Sequence, residues 1–331
     1  MVESGIPIFD AFTPRPYLRN RHAMTLAGNF LRRTSNLPAA EECLFRTDAE
    51  TQILCHCHWQ PDAENKAAVI IVHGLEGSSL SRYVIGNADK AWAAGMNVVR
   101  MNMRTCGGSE RFTPTLYHSG LSSDVAAVLR AVIEQKRVRQ VGLIGYSMGG
   151  NLVLKLAGEL GANAPAELKA IAAVSPAADL AASADAMHVG TNRIYEWKFL
   201  LSLMRTFERK RRLFPALYKK VERFPVSIRE FDDVVTARYC GFEGAEDYYT
   251  RAGAARVIDK IALPTLIIHA EDDPFIRLLP ETRAKIAANP HIYLLEPTHG
   301  GHCAFLTEPN GDDGRWAERQ IVNFFRHHGL S

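Results

Sequence analysis

Residues 143–151 read LIGYSMGGN: an apolar run ends in Gly145-Tyr146-Ser147-Met148-Gly149 and a helical pattern starts at once. This is the G-x-S-x-G arrangement in the strand–turn–helix context that presents a serine nucleophile. The tight turn strains the serine backbone and lifts its Oγ clear of the strand. A side chain at Gly145 or Gly149 would collide with the neighbouring strand or helix. The helix aims its positive end at the place where an oxyanion would form. A glycine-rich turn with an incidental serine is the bland alternative, and the flanking elements weigh against it.

A second stretch, VIIVHGLEGSS at 69–79, ends a strand in His73-Gly74. The backbone N–H of Leu75 is then placed to point across to Ser147 and, with the N–H of Met148, to make two donors for a tetrahedral intermediate. His73 is expected to brace this loop. A serine needs a general base within hydrogen-bond reach. EPTHGGHCAF at 296–305 offers His299 and His302 after the last strand, with Gly300-Gly301 giving the loop freedom to turn a ring inward. The expectation is His302 as the base and His299 as a satisfied polar residue at the strand end. TLIIHAEDDPF at 265–275 supplies the acids Glu271, Asp272 and Asp273 at the carboxyl edge of a strand, where ligands bind in open α/β sheets. Neighbours in an extended chain point to opposite sides, so only one of Asp272 and Asp273 is expected to face the imidazole. Pro274 restricts Asp273, yet these residues alone leave both acids open.

The elements that must position these groups alternate along the chain. Strands are predicted at 67–74, 97–104, 140–147, 169–176, 264–270 and 291–297, most of them near-continuous in Val, Ile and Leu as strands covered on both faces should be. Helices are predicted at 120–136, 149–160 and 314–328. The pattern predicts a mostly parallel sheet covered by helices, with residues 1–180 and 262–331 forming one core. Residues 181–261 break the alternation and read as a helical cap insertion, with Phe199, Leu200, Leu203, Met204 and Phe207 on one helical face.

The totals narrow the class. The chain has 331 residues, 47% hydrophobic and 23% charged, with a net charge of +3, too near balance to argue for nucleic acid. Six scattered cysteines suit reduced thiols, and no leader pattern or apolar span is expected, so the expected location is the cytoplasm. LCHCHW at 54–59 is read as an ordinary strand and not a metal site, because no second pair stands at zinc-ligand spacing. The basic run ERKRRLFPALYKK at 208–220 raises peripheral membrane contact through the cap, against the plainer reading of a solvated cap surface. Arg104 and Asp124 are a candidate structural ion pair.

Together GYSMGGN, HGLEGSS, DDPF and GGH resemble the α/β-hydrolases, and more narrowly the AB hydrolase 4 family of YheT-like bacterial esterases and their eukaryotic lipase relatives. RPYLRNRHAMTL, NMRTCGGSE, YHSGLSSD and FDDVVTARYCGFEGAEDYY extend the resemblance along the chain, with Arg21, Met24 and Thr105 departing from the family pattern. The resemblance implies an α/β-hydrolase fold and a Ser–Asp–His hydrolase of carboxylic esters, acylglycerols or phospholipid acyl chains, without metal or cofactor. It selects Asp273 as the acid, since the family carries G-x-x-D here and Ala270-Glu271-Asp272-Asp273 occupies that pattern. Acyl transfer or thioester hydrolysis on the same triad, and a non-catalytic lipid-surface binder on this scaffold, are the alternatives.

Overall fold

Continuous apolar runs build the centre of the sheet because both of its faces are covered. The computed structural model describes residues 9–330; residues 1–8, part of the segment in which no leader is expected, lie outside the described residues. The strands are β1 (Glu41–Arg46), β2 (Gln52–His58), β3 (Ala68–Val72), β4 (Asn97–Met101), β5 (Val141–Tyr146), β6 (Leu168–Val174), β7 (Thr265–Ile268) and β8 (Ile292–Leu295). They lie in the order β1-β2-β4-β3-β5-β6-β7-β8. β2 runs antiparallel to β1 and β4, and the remaining pairs are parallel.

Alternate side chains of one strand feed two separate cores, as a pleated strand requires. Ile70 and Val72 of β3 face α3 (Ser122–Lys136) and α4 (Met148–Leu160). Val69 and Ile71 face α2 (Arg82–Ala93) and the last helix, Trp316–His327. In α3 the apolar residues Val125, Val128, Leu129 and Val132 recur at helical spacing and are buried. The N-terminal helix α1 (Arg21–Phe30) packs beside the loop that carries His302.

The six predicted strands all form: each ends one to three residues early, four start one residue late, β4 starts as predicted and β6 starts one residue sooner. The predicted strand at 264–270 is regular to Ile268, His269 N–H and Glu271 N–H still donate to Leu295 and Pro297 C=O, and Asp273 N–H then donates to Ala270 C=O and closes a turn. The acids therefore leave a turn, and strand alternation does not govern which way they point. β1 escapes the apolar search because it is an edge strand, EECLFR, whose polar residues blunt its free side. Cys55 and Cys57 of β2 are buried in the core, while His58 takes hydrogen bonds from Arg100.

Between β6 and β7 the chain forms helices over the sheet edge, chiefly α5 (Leu180–Met187), α6 (Arg193–Leu213) and Ala245–Ala252. The basic run at 208–220 is not one surface helix. α6 ends at Leu213, before Pro215, and Lys210 is fully buried, donating to the carbonyls of Glu110 and Thr113. Glu208 meanwhile accepts from Arg211 and Arg212. Among the described residues no helix is long and apolar enough to cross a membrane.

Arg104 and Asp124 form a buried bidentate pair at 2.7 and 2.6 Å, which ties the loop after β4 to the first turn of α3. Removing one partner strands a buried charge. Asp124→Ala is expected to lower the unfolding free energy by about 3–5 kcal/mol, read from urea denaturation, and an unchanged midpoint would contradict this account.

Candidate active site

β5 ends at Tyr146 and α4 starts at Met148, which leaves Ser147 alone to reverse the chain at φ 54° and ψ −115°. That backbone is strained for a residue with a side chain. It persists because its surroundings leave no room to relax. A Cβ on Gly145 would lie 2.2 Å from Gly149 O, and one on Gly149 would lie 2.3 Å from Val72 O. The half-exposed Ser147 thus stands proud of the carboxyl edge of the sheet, at the N-terminus of α4.

β3 is hydrogen-bonded to β5, so the loop after Val72 passes beside the serine; a Cβ on Gly74 would lie 3.1 Å from Ser147 Cβ. Gly74 O accepts from the His73 ring at 2.7 Å and from Gly77 N–H at 3.0 Å. Leu75 N–H lies on the opposite side of that same trans peptide, so whatever holds Gly74 O also aims Leu75 N–H. Among the described residues neither Leu75 N–H nor Met148 N–H meets a protein acceptor. His73 accepts from Met103 N–H through Nε2, so its proton sits on Nδ1. Burial pushes its pKa down to about 4, which keeps the ring a neutral brace.

The acid and the base arrive on the loops after β7 and β8. His302 Nδ1 donates to Asp273 Oδ2 at 2.9 Å. Asp273 is 1% exposed, and its other oxygen accepts from the backbone N–H groups of Phe275 and Ile276 at 3.1 and 2.9 Å. Burial opposes its charge, but the His302 ring outweighs burial and holds the carboxyl below its ordinary range. Asp272 instead accepts from Gly301 N–H at 2.9 Å and stands 3.5 Å from the half-buried His299, so it braces the loop. Glu271 is exposed. Among the described residues His302 Nε2 meets Cys303 Sγ at 3.5 Å and makes no hydrogen bond to Ser147.

Several supporting residues carry no local pattern that a sequence reading could seize. Thr25 of α1 accepts from His302 N–H at 2.8 Å. Ser175, at the end of β6, accepts from Cys303 N–H at 3.2 Å. Tyr83 of α2 accepts from Gly74 N–H at 2.8 Å.

Ser147, Leu75 and Met148 open on a cavity of about 930 Å³, its mouth included, between the sheet edge and the cap. Its walls are mainly apolar, with Leu203 and Phe207 from α6, Phe231 beyond it, and Leu116 and Phe275 from the core. The lining suits a ligand with an extended apolar part.

Burial works against a charged His302, while its contacts with the Cys303 sulfur and the Asp273 carboxylate raise the ring's pKa above the ordinary 6.5. A pKa raised by folding contributes stability that is full below about pH 6.5 and fades as the pH rises through the raised value. An NMR titration of His302 is expected to show a midpoint above 6.5, and Asp273→Asn to lower it. The same midpoint in both proteins would contradict the ion-pair account.

The alpha/beta hydrolase fold family matches residues 67–309. "Putative esterase YheT" of Escherichia coli is 32% identical over 95% of this chain and 92% of its own length. "Phospholipase ABHD3" of Mus musculus is 28% identical over 74% of this chain and 60% of its own length. Among solved structures, the Pyrococcus furiosus esterase Pf2001 superposes with a TM-score of 0.56 at 15% identity, covering 91% of this chain and 99% of that one, a likeness of fold alone. With its serine turn at the carboxyl edge of a mostly parallel eight-stranded sheet, the chain belongs to the alpha/beta hydrolase fold family.

Proposed function

We propose that this protein hydrolyses carboxylic esters with apolar acyl chains, using Ser147 as nucleophile, His302 as general base and acid, and Asp273 as the carboxylate that orients His302. The observation that carries the reading is the strained Ser147, open on a mainly apolar cavity beside two backbone N–H groups unpaired among the described residues. The relatives' printed names, esterase and phospholipase, favour the same chemistry. Short- to medium-chain esters, acylglycerols and phospholipid acyl chains are the substrates proposed.

In this reading His302 Nε2 turns from Cys303 Sγ to Ser147 Oγ, an adjustment of the kind that substrate binding often completes. Oγ attacks the ester carbonyl carbon as its proton passes to Nε2. The C=O electron pair moves onto oxygen, and the N–H groups of Leu75 and Met148 hold that oxyanion. Collapse breaks the C–O bond, and the leaving alkoxide takes the proton from Nε2. Water then gives its proton to Nε2 and attacks the acyl-enzyme, which releases the acid and restores Ser147. Asp273 accepts from Nδ1 throughout, so Nε2 stays free for proton transfer.

A panel of p-nitrophenyl esters of increasing chain length, with a monoacylglycerol and a phospholipid added, tests this reading. Ser147→Ala is expected to lower kcat by as much as ~10⁶-fold and to abolish labelling by a fluorophosphonate probe. Asp273→Asn is expected to cost up to ~10⁴-fold in kcat, and Asp272→Asn far less. Near wild-type hydrolysis by Ser147→Ala overturns the proposal, and an inactive Asp272→Asn beside an active Asp273→Asn overturns the choice of acid.

A further inference from the structure

The residue after Leu75 is an acid that the chemistry above does not use. Glu76 holds a left-handed backbone, φ 53°, inside the turn that Gly77 N–H closes on Gly74 O. Its half-buried carboxylate gathers three hydroxyl donors. Tyr117 OH donates to Oε1 at 2.6 Å, while Ser202 Oγ and Thr206 Oγ1 of cap helix α6 donate to Oε2 at 2.5 and 2.8 Å. Glu76 N–H in turn donates to the Tyr117 oxygen at 3.2 Å. Among the described residues Glu76 forms no salt bridge; the nearest cation in this network, Arg209, donates to Thr206 Oγ1 at 3.1 Å and not to the carboxylate.

The chemical type of the group matters. A carboxylate only accepts, so all three hydroxyls must turn their protons toward it, and such charge-assisted bonds are short and about twice as strong as neutral ones. An amide of the same shape would present donors to one or two of those hydroxyls and force them to reverse. The clamp also meets the cavity, because Tyr117 and Thr206 line it together with Leu75. Leu75 is therefore held from both sides. Gly74 N–H is tied to Tyr83 of α2, and Glu76 is tied to Tyr117 and α6.

We propose that Glu76 is a positioning residue that fastens the cap helix to the oxyanion loop, so that Leu75 N–H is aimed at the reacting carbonyl when α6 is seated. The inference rests on the ester-hydrolase reading, with Leu75 as an oxyanion donor. The hydroxyl triad on Glu76 makes the cap part of the catalytic frame: the surface that walls the acyl cavity also sets the donor that stabilises the transition state. Glu76 itself touches no reacting atom.

The test compares Glu76→Gln, the Ser202→Ala/Thr206→Val pair and their combination, using p-nitrophenyl butyrate and thermal unfolding. Glu76→Gln is expected to lower kcat about 10- to 100-fold with KM within about threefold, less than the ~10²–10³-fold cost of deleting a donor, because the N–H is misaimed and not removed. The unfolding midpoint is expected to stay near wild type. The cap pair is expected to lower kcat to a similar degree, and the combination to fall no further, as members of one network do. A Glu76→Gln kcat within twofold of wild type, or additive losses in the combination, overturns the proposal. If Glu76→Gln does not fold, the cap pair decides alone: a lower kcat at steady KM supports the coupling, and an unchanged kcat overturns it. A wild-type protein inert to esters and to the fluorophosphonate probe overturns the ester-hydrolase reading, whereas an active wild type beside an unaffected Glu76→Gln overturns only the role of Glu76.

Discussion

The strained backbone of Ser147 is the constraint on which the rest of the site depends. A residue at φ 54° and ψ −115° costs of order 1–3 kcal/mol and holds only if its neighbours prevent relaxation. Here β3, β5 and α4 meet so closely that Gly145 and Gly149 have no space for a Cβ. That close approach also decides the partner loop. Because β3 pairs with β5 in parallel register, Val72 beside Gly145, the two chains leave the sheet side by side. The serine and Leu75 N–H therefore emerge together, and the same packing that strains one positions the other.

The far side of the site is built from loops. Asp273 is fixed by a turn and two backbone N–H groups, so its carboxylate is held before it meets the imidazole. His302 depends on elements from three parts of the chain: α1 through Thr25, the end of β6 through Ser175 acting on Cys303, and the loop after β7 through Asp272 acting on Gly301. A ring on a loop needs this many props because no regular element carries it. Among the described residues its Nε2 meets Cys303 Sγ.

The cap changes meaning once its charges are placed. Its basic run looks solvated in the sequence, yet Lys210 is buried as a clamp on two carbonyls, and burial draws its pKa down to about 8. α6 faces the cavity with Leu203 and Phe207 and reaches Glu76 with Ser202 and Thr206. One helix thus supplies both apolar wall and polar tether. That is a reason for an amphipathic helix whose polar residues do not all face water.

The chain's local order already determines much of this protein. Five residues around Ser147 encode the strained turn, since glycine spacing and the flanking strand and helix all lie within a short window, and the six apolar runs encode the central strands for the same reason. Edge strand β1 stays hidden because an edge needs no apolar run. What only the tertiary structure decided is which side chains meet across the chain. Asp272 and Asp273 are adjacent in sequence, and a turn, not strand alternation, sends one to the His302 backbone loop and the other to its ring. Thr25 supports His302 from 277 residues away, and Ser202 and Thr206 reach Glu76 across more than a hundred. Such contacts have no period and no spacing to read, because they are created by the packing of whole elements and not by the order of neighbouring residues.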